Sequence, residues 1–228
     1  MKNQVMIVNK IGNEHLRKAI NNQDYYFVSE KVKMVFDGCS GSKNAEVGAK
    51  LFSSLFSQLP IKQIEDIALF EKNVDFIFQK ILSLSNDITF IFDHLCFTIV
   101  AVFETEKEFV IKYAGDGYVI TQKNEQIEYI KLENGCENNY PKYAIYNYIE
   151  PEYLMDYKNG VPFYTLTFLK EKYENIGVAT DGLSFSEKLD WKEQQLLKQH
   201  ILNRKKGKID ILINRNQIHF HDDITICF

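Results

Sequence analysis

Four β-branched and aromatic runs, Leu95–Phe103, Glu108–Tyr113, Gly117–Gln122 and Gln126–Leu132, follow one another with only short polar turns between them. Parallel strands need a crossover of about a dozen or more residues, so runs this close can pair only antiparallel. Upstream, Val5–Val8 reads as an edge strand, and Tyr25–Ser29 and Val32–Phe36 read as a hairpin across Glu30-Lys31. Downstream, Phe163–Phe168, Asn175–Ala179 and Ile224–Phe228 return to strand pattern. Helical periodicity occurs early and late. It covers Asn44–Leu59, stopped by Pro60, and Val74–Leu84, with Phe76, Ile77, Ile81 and Leu84 on one stripe. It returns over Leu189–Leu202 and around Ile209–Ile213. Between them, Asn134–Val161 is polar and irregular, and Tyr140, Tyr143, Tyr146, Tyr148, Tyr153 and Tyr157 read as a surface segment packing its own aromatics. About ten strands with two groups of helices imply an α+β fold, sheets packed on each other and covered by helices.

Composition says what such a fold can be used for. Hydrophobic residues are 45% of the 228, enough for one real core, so a single domain over 1–228 is expected. A net charge of −4 argues against nucleic acid as a partner, which would demand a basic field. The one basic run, Asn203–Lys208, reads as a solvated turn or helix end. Cys39, Cys96, Cys136 and Cys227 show no CxxC spacing, so neither a zinc ribbon nor a redox pair is indicated. Apolar runs are too short to span a membrane and the N-terminus lacks an apolar signal core, so a cytoplasmic monomer without membrane contact is expected.

Three apolar strands end in Asp-Gly: MVFDG at Asp37, YAGDG at Asp116 and VATDG at Asp181. One Asp-Gly is an ordinary turn. Three, joined by Asp222-Asp223 before the last strand and Asp24 before Tyr25, form a set. If those strand ends converge, the carboxylates repel, and only cations make the arrangement stable. With no His pair or Cys cluster to favour zinc, oxygen ligands suit Mg²⁺ or Mn²⁺. Two such ions about 4 Å apart would activate water and neutralise a phosphate ester. His219 and His221 flank Phe220 like an i,i+2 pair on a strand face, but a partly exposed strand edge is the simpler reading. Glu46, in the first turn after the Asp37 loop, suits a helix N-terminus and could also orient a metal-bound water.

VFDG, AGDG, ATDG and DDIT, in this order, resemble the motifs of the type 2C metal-dependent protein phosphatases, and GNEHLRKAINNQDYYFV resembles the start of their bacterial branch. The resemblance runs from Gly12 to Phe228. It implies a four-layer sandwich, two antiparallel sheets flanked by helices, and a serine/threonine phosphatase acting on phosphoproteins with two Mn²⁺ or Mg²⁺ ions and, as in many members, a weaker third. It implies that Asp37 bridges the ions with the Gly38 carbonyl as a ligand, that Asp181 and Asp222 hold the first, and that Asp24 serves the second through water. Asp116 would join Asp181 at the third, and Asp223 falls where a non-ligand is common.

Three positions depart from the pattern. Gln23 stands where many members have Glu, Cys39 replaces a common His, and Ala19 sits where better-known members carry the phosphate-binding Arg. His15, Arg17 and Lys18 are close enough to substitute, and His15 fits the bacterial pattern best, as phosphate donor or leaving-group acid. Those departures keep open a non-catalytic phosphatase-like sensing or binding domain. A different metal-dependent phosphoesterase or nuclease is disfavoured by the acidic charge.

Overall fold

The computed structural model of the chain describes residues 5–133, 141–150, 153–154 and 161–228. In chain order, β1 (Ile7–Lys10) and α1 (Asn13–Lys18) lead into β2 (Tyr25–Val28) and β3 (Val32–Gly38). Four helices follow: α2 (Ala45–Phe56), α3 (Ile61–Ile64), α4 (Phe70–Leu82) and α5 (Ile88–His94). Then come β4 (Phe97–Glu104), β5 (Glu108–Ala114), β6 (Gly117–Lys123), β7 (Gln126–Leu132), β8 (Tyr164–Leu169) and β9 (Asn175–Ala179). Helices α6 (Trp191–Leu202) and α7 (Lys206–Arg215) precede β10 (Ile224–Cys227). The strands make two five-stranded sheets, ordered β1-β10-β9-β6-β7 and β2-β3-β4-β5-β8.

Period-2 alternation assigns each face. Along β3, Val32, Met34 and Phe36 join the layer of α2, α4 and α5, while Val35 joins the layer between the sheets. In β4, Ile99, Ala101 and Phe103 face the helices, and Val100 and Val102 face the other sheet. Both faces are buried, so these strands read as continuous apolar runs. On the far side α6 and α7 cover the other sheet through Leu197, Ile201, Ile209 and Ile213. The result is four layers, helix-sheet-sheet-helix, as expected. The aromatic-rich composition is concentrated under α2, where Phe52 packs within 6.1 Å of the rings of Phe36, Phe56, Phe78 and Phe97.

Every strand pairing described is antiparallel, yet the four close runs are two hairpins rather than one meander. β4 pairs β5 and β6 pairs β7, but β5 and β6 lie in different sheets. The chain crosses between sheets at Gly115-Asp116-Gly117, where both glycines have positive φ (+99° and +139°). Such backbone is open to glycine at little cost.

Elsewhere the structure revises the periodicity. In α4 the buried stripe is Phe70, Val74, Ile77, Phe78 and Ile81, with Phe76 and Leu84 exposed. Phe70 sets that face, and Phe76 falls on the opposite one. In α2 the buried face is Ala45, Gly48, Ala49, Phe52, Ser53 and Phe56, with Val47 exposed. That helix ends at Phe56, short of Pro60, which instead precedes α3. Three helices were not expected at all, α1, α3 and α5. Tyr140, Tyr157 and Cys136 lie outside the described residues.

Candidate metal centre

Each carboxylate is placed by the end of an element. Asp37 is the penultimate residue of β3 and pairs with Thr98 of β4. Asp116 sits on the crossing from β5 to β6. Asp181 follows β9, and Asp222 precedes β10. Asp37, Asp116, Asp181 and Asp222, with Gly38, line one cavity of about 200 Å³, together with Thr98, Ser40 and Tyr143. No lysine or arginine is among the described residues that line it.

The electrostatics follow from that packing. Asp37 is held well above the usual carboxylate range by burial, and then by repulsion from Asp181, Asp24, Asp222 and Asp116. Burial and Asp116 push Asp181 up to about 6, and Asp181 shares a hydrogen bond with Asp37. Burial also raises Asp116 and Asp222. Four oxygen donors that repel one another, with a glycine backbone at hand and no cationic side chain between them, fit hard divalent ions. Among the described residues only His15, Asp222 and Asp223 bring ligand atoms within 4.8 Å of one another.

A buried polar layer supports this ring. Asp24 does not line the cavity; it is buried and accepts a hydrogen bond from Thr180 Oγ1 at 2.7 Å. Thr180 Oγ1 in turn accepts from Thr225 N at 2.9 Å, tying β9 to β10. Asn22 Oδ1 accepts from Asp24 N at 2.8 Å, and Asn22 Nδ2 donates to Asn9 Oδ1 at 2.9 Å. The Oε1 of Gln23, 2% exposed, has no partner.

Asp223 spends its oxygens on the backbone. Oδ1 accepts from Gly12 N at 2.7 Å and Oδ2 from Gln23 N at 2.5 Å. His15, buried on α1, lies with Nδ1 2.9 Å from Asp223 Oδ2 and Nε2 3.9 Å from Asp222 Oδ1. Asp223 raises the His15 pKa against the opposing effect of burial. The side chain faces these carboxylates and is not among the residues lining the cavity. Arg17 is exposed on α1 and also outside the cavity.

His219 and His221 lie in the turn before β10, not on a strand. The His221 ring stacks on Phe185 at 5.4 Å. Glu46 accepts a hydrogen bond from Asn21 Nδ2 at 3.1 Å while its Oε2 is buried without a partner. Sequence reasoning missed Thr180, Thr98 and Ser40. Thr180 stands directly before Asp181 and was the one with a signal. Thr98 comes from the middle of an apolar run, and Ser40, whose Oγ donates to Asp222 Oδ2 at 3.2 Å, looks like loop filler.

The protein phosphatase 2C family model matches residues 11–205. A search of curated proteins gives no match. Among solved structures, a point variant of a bacterial serine phosphatase superposes with a TM-score of 0.65 at 17% identity, covering 98% of this chain and 96% of that one. Serine/threonine phosphatase Stp1 from Staphylococcus aureus gives 0.63 at 16%, with 98% and 93% covered. The catalytic domain of the serine threonine protein phosphatase PstP, in complex with two manganese ions, gives 0.58 at 13%, with 98% and 96% covered. At such identities the superpositions speak for the fold alone. The family match takes in Asp24, Asp37, Asp116 and Asp181, and the structure adds Asp222 beside them: the chain belongs to the protein phosphatase 2C family.

Proposed function

We propose that this chain is a metal-dependent protein serine/threonine phosphatase that removes phosphate from phosphoserine and phosphothreonine. The observation that carries the reading is the convergence of four strand-end carboxylates on one small cavity with no lysine or arginine among the described residues that line it. Two Mn²⁺ or Mg²⁺ ions held there supply an activated water and neutralise phosphate charge. Asp37, at the end of β3 in the cavity, would hold both ions, with Gly38 offering its carbonyl. Asp181 and Asp222 hold one ion, and Asp116 with Asp181 holds a weaker third. Asp24, fixed by Thr180, serves through water from the buried side. His15 holds Asp222 and Asp223 in position, and Arg17 is left for the polypeptide around the phosphate. The protein acts as a monomer of one domain over 1–228 in the cytoplasm, a reducing compartment that free Cys39, Cys96 and Cys227 suit.

The test is hydrolysis of a phosphothreonine peptide by the purified chain with Mn²⁺, then with EDTA. Release that EDTA stops, and that Asp37→Asn or Asp181→Asn lowers by about 10²–10³-fold or more, is expected. Undiminished turnover in either folded variant would refute the assignment. Tight Mn²⁺ binding without turnover would point to an unusual substrate, and neither turnover nor Mn²⁺ binding would turn the reading toward a sensing domain.

A further inference from the structure

The strands that carry Asp37 and Asp181 to the metal centre both begin at a second cavity, of about 400 Å³, which phosphate chemistry leaves unused. Lys33 is the second residue of β3, two residues before Val35 on the same face, and Asn175 opens β9; both line this cavity and both are 9% exposed. Lys33 Nζ donates to the Ile176 carbonyl at 2.7 Å and to Asn175 Oδ1 at 3.2 Å. An ammonium has three N–H donors, so one remains. Asn175 Nδ2 is buried with no partner. The nearest influential acid, Glu104, is engaged by Lys170 at 2.7 Å. Burial accordingly lowers the Lys33 pKa to about 8.

A buried ammonium without a counter-ion is costly, and so is an unpaired amide N–H. The complement is a group that only accepts and carries negative charge. Phe109 and Phe228 add apolar wall. Four glutamates (Glu30, Glu104, Glu106 and Glu174) and four cations (Lys31, Lys33, Lys170 and Arg204) line the same cavity, so their charges balance and it suits a singly rather than a multiply charged anion. We propose that this cavity binds a small monocarboxylic acid with an apolar body. Its carboxylate meets Lys33 Nζ and Asn175 Nδ2, and its body lies on Phe109 and Phe228.

The experiment is calorimetric titration of the full Mn²⁺-loaded chain with 4-phenylbutyrate and with its neutral amide. The acid binds, and the amide binds at least about tenfold more weakly. Asn175→Asp, near-isosteric, sets a carboxylate beside the ammonium and weakens the acid at least about tenfold, as does Lys33→Met. Neither variant changes basal peptide hydrolysis. If Lys33→Met does not fold, Asn175→Asp decides alone. No binding of the acid, equal binding of the amide, or unchanged binding by Asn175→Asp (the acid then sitting on the metal or elsewhere) overturns the proposal.

Discussion

A buried histidine between two aspartates is a device for holding them still. His15 reaches Asp223 and Asp222 at once, and Asp223 is itself fixed by two backbone amides. Removing the imidazole takes away the charge that Asp222 and Asp223 share and leaves Asp222 to Ser40 Oγ and the Asp223 amide, while every proposed ligand remains. His15→Ala is therefore expected to weaken Mn²⁺ affinity by about 10–100-fold, measured by calorimetry, with the fold retained. At this scale the sequence was legible where the chemistry was written locally. An apolar run ending in Asp-Gly announces a strand-end carboxylate, and Asp37, Asp116 and Asp181 carry that signature. The partnership of His15 with Asp223 is written nowhere locally, because it joins α1 to the approach of β10. Thr180 was half-visible, adjacent to Asp181 but with a hydroxyl whose partner lies on another segment.

At the scale of elements, the Gly115-Asp116-Gly117 crossing both changes sheet and aims a carboxylate into the cavity. A Cβ on Gly115 would come 2.6 Å from the Thr98 Cβ, at a φ of +99°. Gly115→Ala is expected to destabilise the protein by about 1–3 kcal/mol or more in urea unfolding, and to lower peptide hydrolysis because Asp116 is displaced. Short spacing made the antiparallel hairpins readable. It did not reveal that the second and third runs part company, since a sheet-to-sheet crossing and a hairpin turn use the same glycines. Helix α1 escaped because six residues hold too little periodicity, and its only buried side chain is the polar His15. The stripe of α4 was misread because Phe70, which fixes its phase, lay before the window that was counted.

For the whole molecule, the inter-sheet layer carries a charge that its neighbours do not match. Burial, helped by Arg204 and Lys170, outweighs the opposing pull of Glu104 and Cys227 on Lys33. Its pKa falls from 10.5 to about 8 on folding. Between those values the unfolded chain binds more protons, so this contribution to stability rises with pH through the window and is absent below it. The cost below the window is on the order of 3 kcal/mol, set against the two hydrogen bonds that Lys33 makes. Urea unfolding at about pH 7.5 and about pH 9.5 is expected to show the wild type gaining stability relative to Lys33→Met as pH rises.

The metal centre draws on α1, the ends of β3 and β9, the crossing between β5 and β6, and the approach to β10. Strand β10 is itself clamped between β1 and β9. No contiguous fragment shorter than Asp24–Asp222 contains all the proposed ligands. A protease that clips this protein between them and lets the pieces part is therefore expected to yield silent products rather than a deregulated enzyme, and a retained ion would vouch for the integrity of that whole span.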